Sequence, residues 1–433
     1  VNYFLRKYVG VQWLFPGDLG EVVPKKTVIS IPAELDDKQE PDYFQRDFGV
    51  LRKQNIWHDY KLRSLMISPL YRTVGGHAMG GVIRSEMYAE HPEYFPLIDG
   101  KRFKPVTSAT GWQPCLSNPE VVTLFIEAAQ KYFDASSEHL CFSLAENDSG
   151  GYCECDNCKA MDYPDAPKWA TDLCRNFADR SWKFYVQVAR EIEKSHPGRF
   201  LGVYSYLWSN EPPSDPDFQM PNNMVIRKTF PHESDIERFE RWSKLGVAFG
   251  GHDYIYDTQY HAFRHYPHQL AYEIRFRYRR GMRSSGFENY SRPSKCAPKI
   301  WILTRLLWDI RENVDDLMTE YCRHAYGSAA EPMLEFWNRW EQVYNRQEER
   351  ARRIFFVYGY DEDLQLQTIT HDDLKYLSKK IQRATALAKT PDDRKRVRMV
   401  AEEYDHNRAY IQVILDVRQA YDKLKKGDRG GRF

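Results

Sequence analysis

The stretch 140–151, LCFSLAENDSGG, decides how the chain is interpreted. Its first six residues form an apolar run, and the next six hold two carboxylates, an amide, a serine and two glycines. A short apolar run that ends in turn residues is typical of a buried strand in a parallel sheet. Helical patterns precede it at 119–133 and follow it at 170–195, so the order helix, strand, helix indicates an α/β fold.

The same alternation continues beyond this stretch. Further strands are predicted at 200–206, 224–229, 247–249 and 285–287, and further helices at 235–245 and 269–280. Repeated strand–helix units of this total length favour a TIM (β/α)8 barrel over an open sheet. We therefore predict three parts, namely the end of a small N-terminal α/β domain at 1–40, a TIM-barrel catalytic domain at 41–310 and a helical extension at 311–433.

The helical extension is predicted to form four helices, at 314–326, 330–350, 372–388 and 393–426, before a disordered tail at 427–433. Bulky residues recur there at helical spacing, which indicates packing rather than a ligand site: Leu334, Trp337, Trp340 and Tyr344. At the other end the chain starts abruptly inside an element, which predicts a clipped fragment. We expect a secreted or periplasmic protein whose signal peptide would precede this chain.

Charge and composition exclude several classes of protein. Lys+Arg number 62 and Asp+Glu 61, and this balance argues against nucleic acid as a partner. The 15% aromatic content argues against disorder, since so much ring surface needs a core or a binding cleft. No apolar window is long enough to predict a membrane span. The sequence leaves the oligomeric state open.

The two carboxylates of the opening stretch are the first candidate site. Glu146 and Asp148 would share one face if the strand continued through them, because side chains alternate along a strand. Two close carboxylates raise the pKa of one of them, which allows a neutral acid beside a charged partner. Asn147, between them, is a candidate ligand for the sugar. The alternative is a turn in which Asn147 and Asp148 cap the loop backbone.

Polar and aromatic side chains also follow other predicted strands. Pyranose rings stack on Tyr and Trp, while their hydroxyls need Asp, Glu, Asn, Arg or His, and these strand ends supply both kinds. The alternative for any single aromatic side chain is core packing. The candidates are Tyr204, Tyr206 and Trp208 after one strand, His252, Asp253, Tyr254 and Asp257 in a loop opened by two glycines, and Glu288 and Tyr290 after another strand.

Two further residues are candidates for binding a sugar. His77 lies between paired glycines in a loop after a predicted strand, with Arg72 nearby in the sequence. The alternative is an ordinary structural histidine. Arg46 is predicted either to reach a substrate hydroxyl or to pair with Asp47.

The cysteines form the most specific local pattern. Cys153, Cys155 and Cys158 follow the carboxylate pair, and Cys115 opens the loop after the preceding strand, so the four would be adjacent in a barrel. They could hold a structural zinc ion or form one or two disulfides. A catalytic metal is disfavoured because thiolate-rich sites are usually closed, and no cofactor is expected for catalysis. The remaining thiols considered are interpreted as buried: Cys141, Cys174 and Cys322.

Several longer motifs resemble one family across residues 1 to about 340. The chain is similar to the family called domain of unknown function 4838 (DUF4838) in its opening, in its Gly76-His77 pair, in the Asn147-Asp148 turn with its cysteines, and at the end of the predicted barrel. The motifs are 8–17, 20–24, 91–95, 99–102, 115–120 and 306–309, with Tyr326-Gly327 after them. Members are similar to bacterial carbohydrate-active proteins with an N-terminal α/β domain, a TIM barrel and a helical extension.

The resemblance implies two possible chemistries. Part of the family is classed as glycoside hydrolase family 163, endo-β-N-acetylglucosaminidases acting on complex N-glycans, in which a retaining, substrate-assisted mechanism would make Glu146 the acid and Asp148 the acetamido orienter. The architecture also resembles α-glucuronidases, which are inverting and hold their carboxyls about 6.5–9.5 Å apart. There Glu288, with Asp253 or Asp257, would be the base. One departure concerns the acid, because this family often has Gln at the position of Glu146.

We therefore predict a bacterial glycoside hydrolase that acts on an oligosaccharide or glycoprotein glycan, first of all at β-linked N-acetylglucosamine. An α-glucuronidase-like hydrolase would need a basic partner for the uronate, with Arg46, Arg72 or Arg227 as candidates. From other classes, the alternatives are a barrel that binds glycans without turnover, and a zinc-stabilised scaffold that binds proteins through its C-terminal helices.

Overall fold

A computed structural model describes residues 1–49, 55–66, 76–106, 110–163, 177–229, 236–257, 260–347 and 365–425. Its strands are β1 Gln12–Trp13, β2 Glu21–Val22, β3 Gln45–Gly49, β4 Leu97–Ile98, β5 Lys101–Arg102, β6 Cys141–Ser143, β7 Phe200–Ser205, β8 Met224–Thr229, β9 Ala248–Tyr254 and β10 Ser284–Glu288. Its α-helices are α1 Asn2–Phe4, α2 Asn55–Arg63, α3 Met79–Val82, α4 Pro119–Asp134, α5 Asp156–Lys159, α6 Ala178–Ser195, α7 Ile236–Ser243, α8 Pro267–Arg279, α9 Pro293–Trp308, α10 Val314–Tyr326, α11 Ala330–Asn345, α12 His371–Leu387 and α13 Pro391–Lys425.

The chain divides into two compact units. The first comprises Val1–Ile67, Tyr254–Tyr278 and Phe287–Phe433, and the second comprises Ser68–Asp253 and Arg279–Gly286. This division groups the chain differently from the predicted parts 1–40, 41–310 and 311–433, which stay a prediction. In the part of the chain that the structure describes, no helix is both long enough and apolar enough to cross a bilayer.

The second unit is built on a parallel sheet. Strands β6, β7, β8 and β9 lie side by side in sequence order and all run parallel, and β10 is the next strand after β9. In their register Tyr204 of β7 lies opposite Arg227 of β8, which lies opposite Gly250 of β9. The predicted α/β class is therefore confirmed in this unit, while closure of a full barrel stays a prediction.

Helix α4 shows how the sequence forms the layer outside this sheet. The side chain of Asn118 accepts a hydrogen bond from the backbone N–H of Glu120 at 2.9 Å, and a proline at the first helical position needs no donor. Apolar side chains then recur every four residues and give the helix one buried face. Those residues are Val121, Phe125, Ala129 and Phe133.

A buried carboxylate fixes the layer between α6 and α7. Glu211 accepts hydrogen bonds from Arg238, at 2.5 Å, and from Arg241. The backbone carbonyl of Glu211 accepts the indole N–H of Trp182 at 2.8 Å, and the ring of Trp242 packs on that indole at 4.9 Å. Because a buried carboxylate is costly unless it is paired, these contacts specify how the two helices pack.

The first unit holds the C-terminal helices α10 to α13. Phe336 of α11 meets Tyr404 of α13 edge to face at 5.4 Å, and both are buried. The predicted packing role is confirmed for Trp337, Trp340 and Tyr344, which are buried. The predicted helix 314–326 coincides with α10, and the mixed α/β class with a helical C-terminal region is therefore confirmed.

Strand β9 corrects one expectation. The strand predicted at 247–249 was expected to end before the two glycines, which were expected in a loop, but β9 continues through them to Tyr254. Close packing explains the first of these glycines, since a Cβ on Gly250 would lie 2.8 Å from the hydroxyl oxygen of Ser284 on β10. His252 and Asp253 are therefore strand residues rather than loop residues.

Candidate functional site

The carboxyl ends of β6 to β9 meet at one edge of the sheet in the second unit. Because parallel strands end at the same edge, side chains at these ends lie close together. Glu146 and Asp148 follow β6, Tyr204 lies near the end of β7, Arg227 is on β8 and His252 is on β9. The candidate site is built from these positions.

Glu146 is buried beneath this edge. One carboxylate oxygen accepts a hydrogen bond from the Ser181 hydroxyl at 2.7 Å, and the other accepts one from the Ser209 hydroxyl at 2.9 Å. Burial raises the pKa of Glu146, and the hydroxyls of Ser181, Tyr152, Ser209 and Tyr185 oppose that rise. The environment therefore favours the protonated form relative to a carboxyl group in water.

Asp148 has a different environment. Strand β6 ends at Ser143, so the alternation expected from a continuing strand does not apply, and Glu146 and Asp148 share no strand face. The side chain of Asp148 is 62% exposed, and its Oδ1 lies 3.8 Å from Nε2 of His77. The raised pKa of Glu146 has burial as its main cause, whereas the sequence argument relied on a second carboxylate.

His77 and Asn147 fix the loop around these carboxyl groups. Nδ1 of His77 lies 2.6 Å from the carbonyl oxygen of Glu146, which leaves Nε2 to face Asp148. The side-chain oxygen of Asn147 accepts the backbone N–H of Gly80 at 2.7 Å, and its amide donates to the carbonyl of Trp112 at 3.0 Å. Asn147, a predicted sugar ligand, thus uses its amide to hold backbone, as in the alternative interpretation.

Aromatic and basic side chains line the same edge. The His77 ring lies 5.3 Å from the ring of Tyr204 and 6.0 Å from that of Tyr206. The ring of Tyr204 lies 5.8 Å from that of His252, and the guanidinium of Arg227 lies over Tyr204 at 5.7 Å. We call this set the strand-end cluster, and it consists of His77, Asp148, Tyr204, Tyr206, Arg227 and His252.

Trp208 and Asp253 flank this cluster in the second unit. Trp208 is half-buried and packs on the backbone of Gly150, where an added Cβ would lie 3.5 Å from its ring. Its ring also meets Tyr152 edge to face at 6.3 Å. Asp253 is buried at the end of β9. Trp208 therefore supports the loop after β6 and is only partly buried.

Several predicted site residues belong to the first unit. The hydroxyl of Tyr290 donates to the carboxylate of Glu288 at 2.8 Å. The ring of Tyr256 lies 5.4 Å from that of Tyr290 and 6.1 Å from that of Tyr254. Glu288, Tyr254 and Tyr290 are half-buried, so the first unit has its own small group of one carboxylate with several tyrosines.

Asp257 and Arg46 are buried in the first unit. The backbone N–H of Asp257 donates to the hydroxyl of Ser291 at 2.6 Å, and its side chain is fully enclosed. Arg46 donates to the carbonyl of Leu65 at 2.9 Å and lies over the ring of Trp308, and burial lowers its pKa to about 10. Arg72, the other arginine considered, lies outside the described residues, as does Cys174.

The four candidate ligand cysteines come together in the second unit. The sulfur of Cys115 lies 3.6 Å from that of Cys153 and 3.8 Å from those of Cys155 and Cys158. All four sulfurs lie within 4.8 Å of one another. These distances exceed the ~2.05 Å of a disulfide bond, and four converging thiols are a ligand set for a tetrahedral metal ion.

A family model described as Domain of unknown function (DUF4838) matches residues 15–338. The chain belongs to the DUF4838 family. The family resemblance seen in the sequence motifs is thereby confirmed. A comparison with curated proteins gives no match.

Solved structures show which fold this DUF4838 protein shares. A family 89 glycoside hydrolase from Clostridium perfringens, in complex with 2-acetamido-1,2-dideoxynojirmycin, has a TM-score of 0.53 at 12% identity and covers 90% of this chain and 52% of its own. The family 89 enzyme of that organism in complex with PUGNAc gives 0.50 at 11%, covering 97% and 56%. A double Glu→Gln variant in complex with its substrate, GlcNAc-α-1,4-galactose, gives 0.55 at 11%, covering 99% and 56%.

This DUF4838 chain thus spans about half the length of these hydrolases. At such low identity the likeness concerns the fold. It supports the mixed α/β class.

Sequence reasoning missed the residues that surround Glu146. Ser181 comes from α6 and Ser209 from the turn after β7, and an isolated serine in either place has no distinctive signal. It also missed Gln113, whose amide donates to the carbonyl of Asn147 at 2.8 Å and whose oxygen accepts the N–H of Asn147 at 3.0 Å. Its only signal was its position two residues before Cys115.

Proposed function

We propose that this DUF4838 protein is a glycoside hydrolase that acts on glycans containing N-acetylglucosamine. In this proposal the parallel sheet of the second unit is part of a closed barrel. The observation that carries the proposal is the strand-end cluster, in which an exposed carboxylate lies among two histidines, two tyrosines and an arginine. The family 89 structures support the reaction class, since two of them hold amino-sugar ligands or a GlcNAc disaccharide. Secretion or export to the periplasm remains part of this proposal.

Asp148 is the carboxylate proposed to touch the sugar. It is exposed, and Nε2 of His77 lies 3.8 Å from it, so the imidazole can orient the carboxylate toward a ligand. A carboxylate in this position can accept the N–H of a 2-acetamido group and direct its oxygen toward the anomeric carbon. That geometry is what a retaining, substrate-assisted reaction requires.

Glu146 is the proposed proton donor. Its raised pKa favours the protonated form that an acid needs. In the structure both of its oxygens accept serine hydroxyls, at 2.7 and 2.9 Å. Before Glu146 can donate its proton to the leaving oxygen, a hydrogen bond to the substrate must replace one of these serine hydrogen bonds.

The rest of the strand-end cluster would bind the sugar. Tyr204 and Tyr206 are half-buried, so each keeps ring surface against which the apolar face of a pyranose can pack. Arg227 and His252 lie 3.4 Å apart, between Nη2 and Nδ1, and both carry donors for hydroxyl groups.

Arg227 also favours a second candidate, an α-glucuronidase-like inverting hydrolase. A guanidinium at the sugar-binding edge is a natural partner for a uronate carboxylate. Of the three arginines considered for this role, Arg227 lies in the strand-end cluster and Arg46 donates to backbone of the first unit. The base that the family resemblance implies for this mechanism, Glu288, belongs to the first unit and stays a prediction.

Product release from a glycan panel tests the proposal. The panel contains a complex N-glycoprotein, chitooligosaccharides and aldouronic acids, and it is run with wild type, Glu146→Gln and the control Glu127→Gln, which changes an exposed residue of α4. Cleavage at N-acetylglucosamine that is lost only in Glu146→Gln supports the proposal. Release of glucuronate favours the second candidate, and glycan binding without any product would make the protein a binding module.

A further inference from the structure

The four clustered cysteines have the geometry of a closed metal site. For four sulfurs at the ~2.3 Å that zinc prefers, tetrahedral geometry sets the sulfur–sulfur distance at about 3.8 Å. The sulfur of Cys115 lies 3.6 Å from Cys153 and 3.8 Å from both Cys155 and Cys158. The sulfurs therefore surround a space of the size that one zinc ion fills.

We propose that Cys115, Cys153, Cys155 and Cys158 bind one structural zinc ion. Three of the sulfurs are buried and that of Cys155 is partly buried, so water has little access to the site. Four protein ligands leave no open coordination position, and such sites hold structure rather than perform catalysis. The proposal stands independently of the glycosidase reaction.

Groups around the cysteines suit an anionic cluster. Zinc with four thiolates carries two net negative charges, which need hydrogen-bond donors and nearby cations. The backbone N–H of Leu97 donates to the sulfur of Cys153 at 3.2 Å, and the hydroxyl of Ser117 lies 3.1 Å from the sulfur of Cys158. Nη1 of Arg102 lies 4.0 Å from the Cys153 sulfur, and Arg180 donates to the Cys153 carbonyl at 2.6 Å.

The local backbone also fits a metal-binding loop. Cys153 and Cys155 precede a short helix, α5, which presents Cys158 from its third position, so three ligands come from six consecutive residues. Cys115 supplies the fourth from a separate segment, whose N–H donates to the carbonyl of Tyr94 at 2.8 Å. A zinc ion bound by this loop and by the distant Cys115 would therefore link two segments of the chain that are not strands of the parallel sheet.

The zinc would hold the loop that carries the candidate site. Gln113 lies two residues before Cys115, and its backbone N–H donates to the carbonyl of Gly151 at 3.0 Å, two residues before Cys153. Its side chain holds both the N–H and the carbonyl of Asn147. Metal binding at the four cysteines therefore fastens the same two segments that position Asn147 and Asp148.

Metal analysis of the purified full chain tests the proposal. The protein is produced in zinc-containing medium without chelators, and metals are measured by mass spectrometry in wild type, Cys158→Ala and the matched control Cys322→Ala, a buried thiol of the first unit. We expect about one zinc per chain in wild type and in Cys322→Ala, and a loss of zinc in Cys158→Ala. Iron at one per chain, or no bound metal, would overturn the proposal.

A second measurement covers the case in which Cys158→Ala does not fold. Wild type is denatured without reductant in the presence of a chelator, and its thiols are counted with a chromogenic disulfide reagent. A zinc site leaves all eight cysteines of the chain reactive. A count lower by two or four shows disulfides instead. On native protein, a mercurial that modifies thiols should release zinc in proportion to the thiols it blocks.

Discussion

Glu146 and Asp148 lie two residues apart on one loop but in opposite environments: Glu146 is enclosed by two serine hydroxyls, while the side chain of Asp148 is 62% exposed beside His77. This separation gives the two carboxyl groups different chemistry. Burial raises the pKa of Glu146, so this group retains its proton to higher pH than it would in water. The carboxylate of Asp148 is instead open to a ligand.

The pKa of Glu146 predicts how stability depends on pH. Burial raises the pKa of Glu146 in the folded protein above its pKa of about 4.3 in the unfolded chain. The stabilisation that comes from its bound proton is therefore complete below the pKa of the unfolded chain and is lost as pH rises through the pKa of the folded protein. A pKa difference of one corresponds to about 1.4 kcal/mol. Glu146→Gln removes this titration. We expect its stability relative to wild type to increase from pH 4 to pH 8 in urea unfolding.

The control for this prediction is Glu127→Gln, on the exposed face of α4. It removes one carboxylate from the exposed surface, and we expect its stability to stay within about 0.5 kcal/mol of wild type. If Glu146→Gln also followed wild type at every pH, Glu146 would have an ordinary pKa and the proposed acid would lose its support.

Substitution of Gly151, at the base of the same loop, should lower the stability of the protein. Its φ is +75°, and an added Cβ would lie 2.2 Å from the carbonyl oxygen of Gly111. Gly198 has a similar φ of +81°, but its Cβ would meet no described atom within 4 Å. Gly198→Ala should cost about 1 kcal/mol from backbone strain alone. Gly151→Ala should cost at least ~2 kcal/mol more, because backbone must move.

Urea unfolding of both glycine variants checks this prediction. Equal losses of stability would mean that the segments around Gly111 and Gly151 separate easily. The close approach of the two backbones would then contribute little to holding the candidate site.

Substitution of Asn147 should lower the stability of the protein, because its side chain makes hydrogen bonds to the backbone. Asn147→Ala leaves the N–H of Gly80 without its acceptor at 2.7 Å, while the carbonyl of Trp112 loses its amide donor at 3.0 Å and keeps the Ser149 hydroxyl at 3.4 Å. Each buried group left unsatisfied costs about 1–3 kcal/mol. Asn222→Ala, at an exposed position, is the matched control and should stay within about 0.5 kcal/mol of wild type in thermal unfolding. A loss no larger than that of the control would show that the Asn147 hydrogen bonds do not order the loop.

Substitution of Tyr204 should weaken the binding of sugar to the protein. Tyr204→Ala removes ring surface from the centre of the strand-end cluster and should weaken the binding of a chitooligosaccharide about tenfold, as measured by calorimetry. Tyr204→Phe keeps the ring and should bind within about threefold of wild type. The control Tyr421→Ala, on the exposed end of α13, should leave affinity unchanged. Unchanged affinity in Tyr204→Ala would exclude the ring as a sugar platform.

Local patterns predicted most of the secondary structure. Helix α4 is specified by its Asn-Pro start and its four-residue apolar repeat, and β8 by the short apolar run that begins at Met224. Strand β9 was predicted too short because its two glycines disfavour a strand. Only the neighbouring Ser284, which lies more than thirty residues away in the sequence, explains why glycine is needed there.

The candidate site was predicted in outline and missed in detail. The rule that reactive groups follow parallel strands selected Asp148, Tyr204 and His252 from short motifs. The same rule could not show that Glu146 is buried, because Ser181 and Ser209 reach it from distant segments. Burial and hydrogen bonding depend on tertiary contacts, and a single sequence does not record them.

The most direct test of the proposed function is the turnover number of Asp148→Asn. The variant is compared with wild type and with Asp217→Asn, an exposed aspartate in the loop after β7, on the glycan that wild type cleaves. We expect the kcat of Asp148→Asn to be about 10²–10³-fold lower than that of wild type while glycan binding persists. The kcat of Asp217→Asn should match that of wild type. Full turnover by Asp148→Asn would contradict the assignment of the strand-end cluster as the active site.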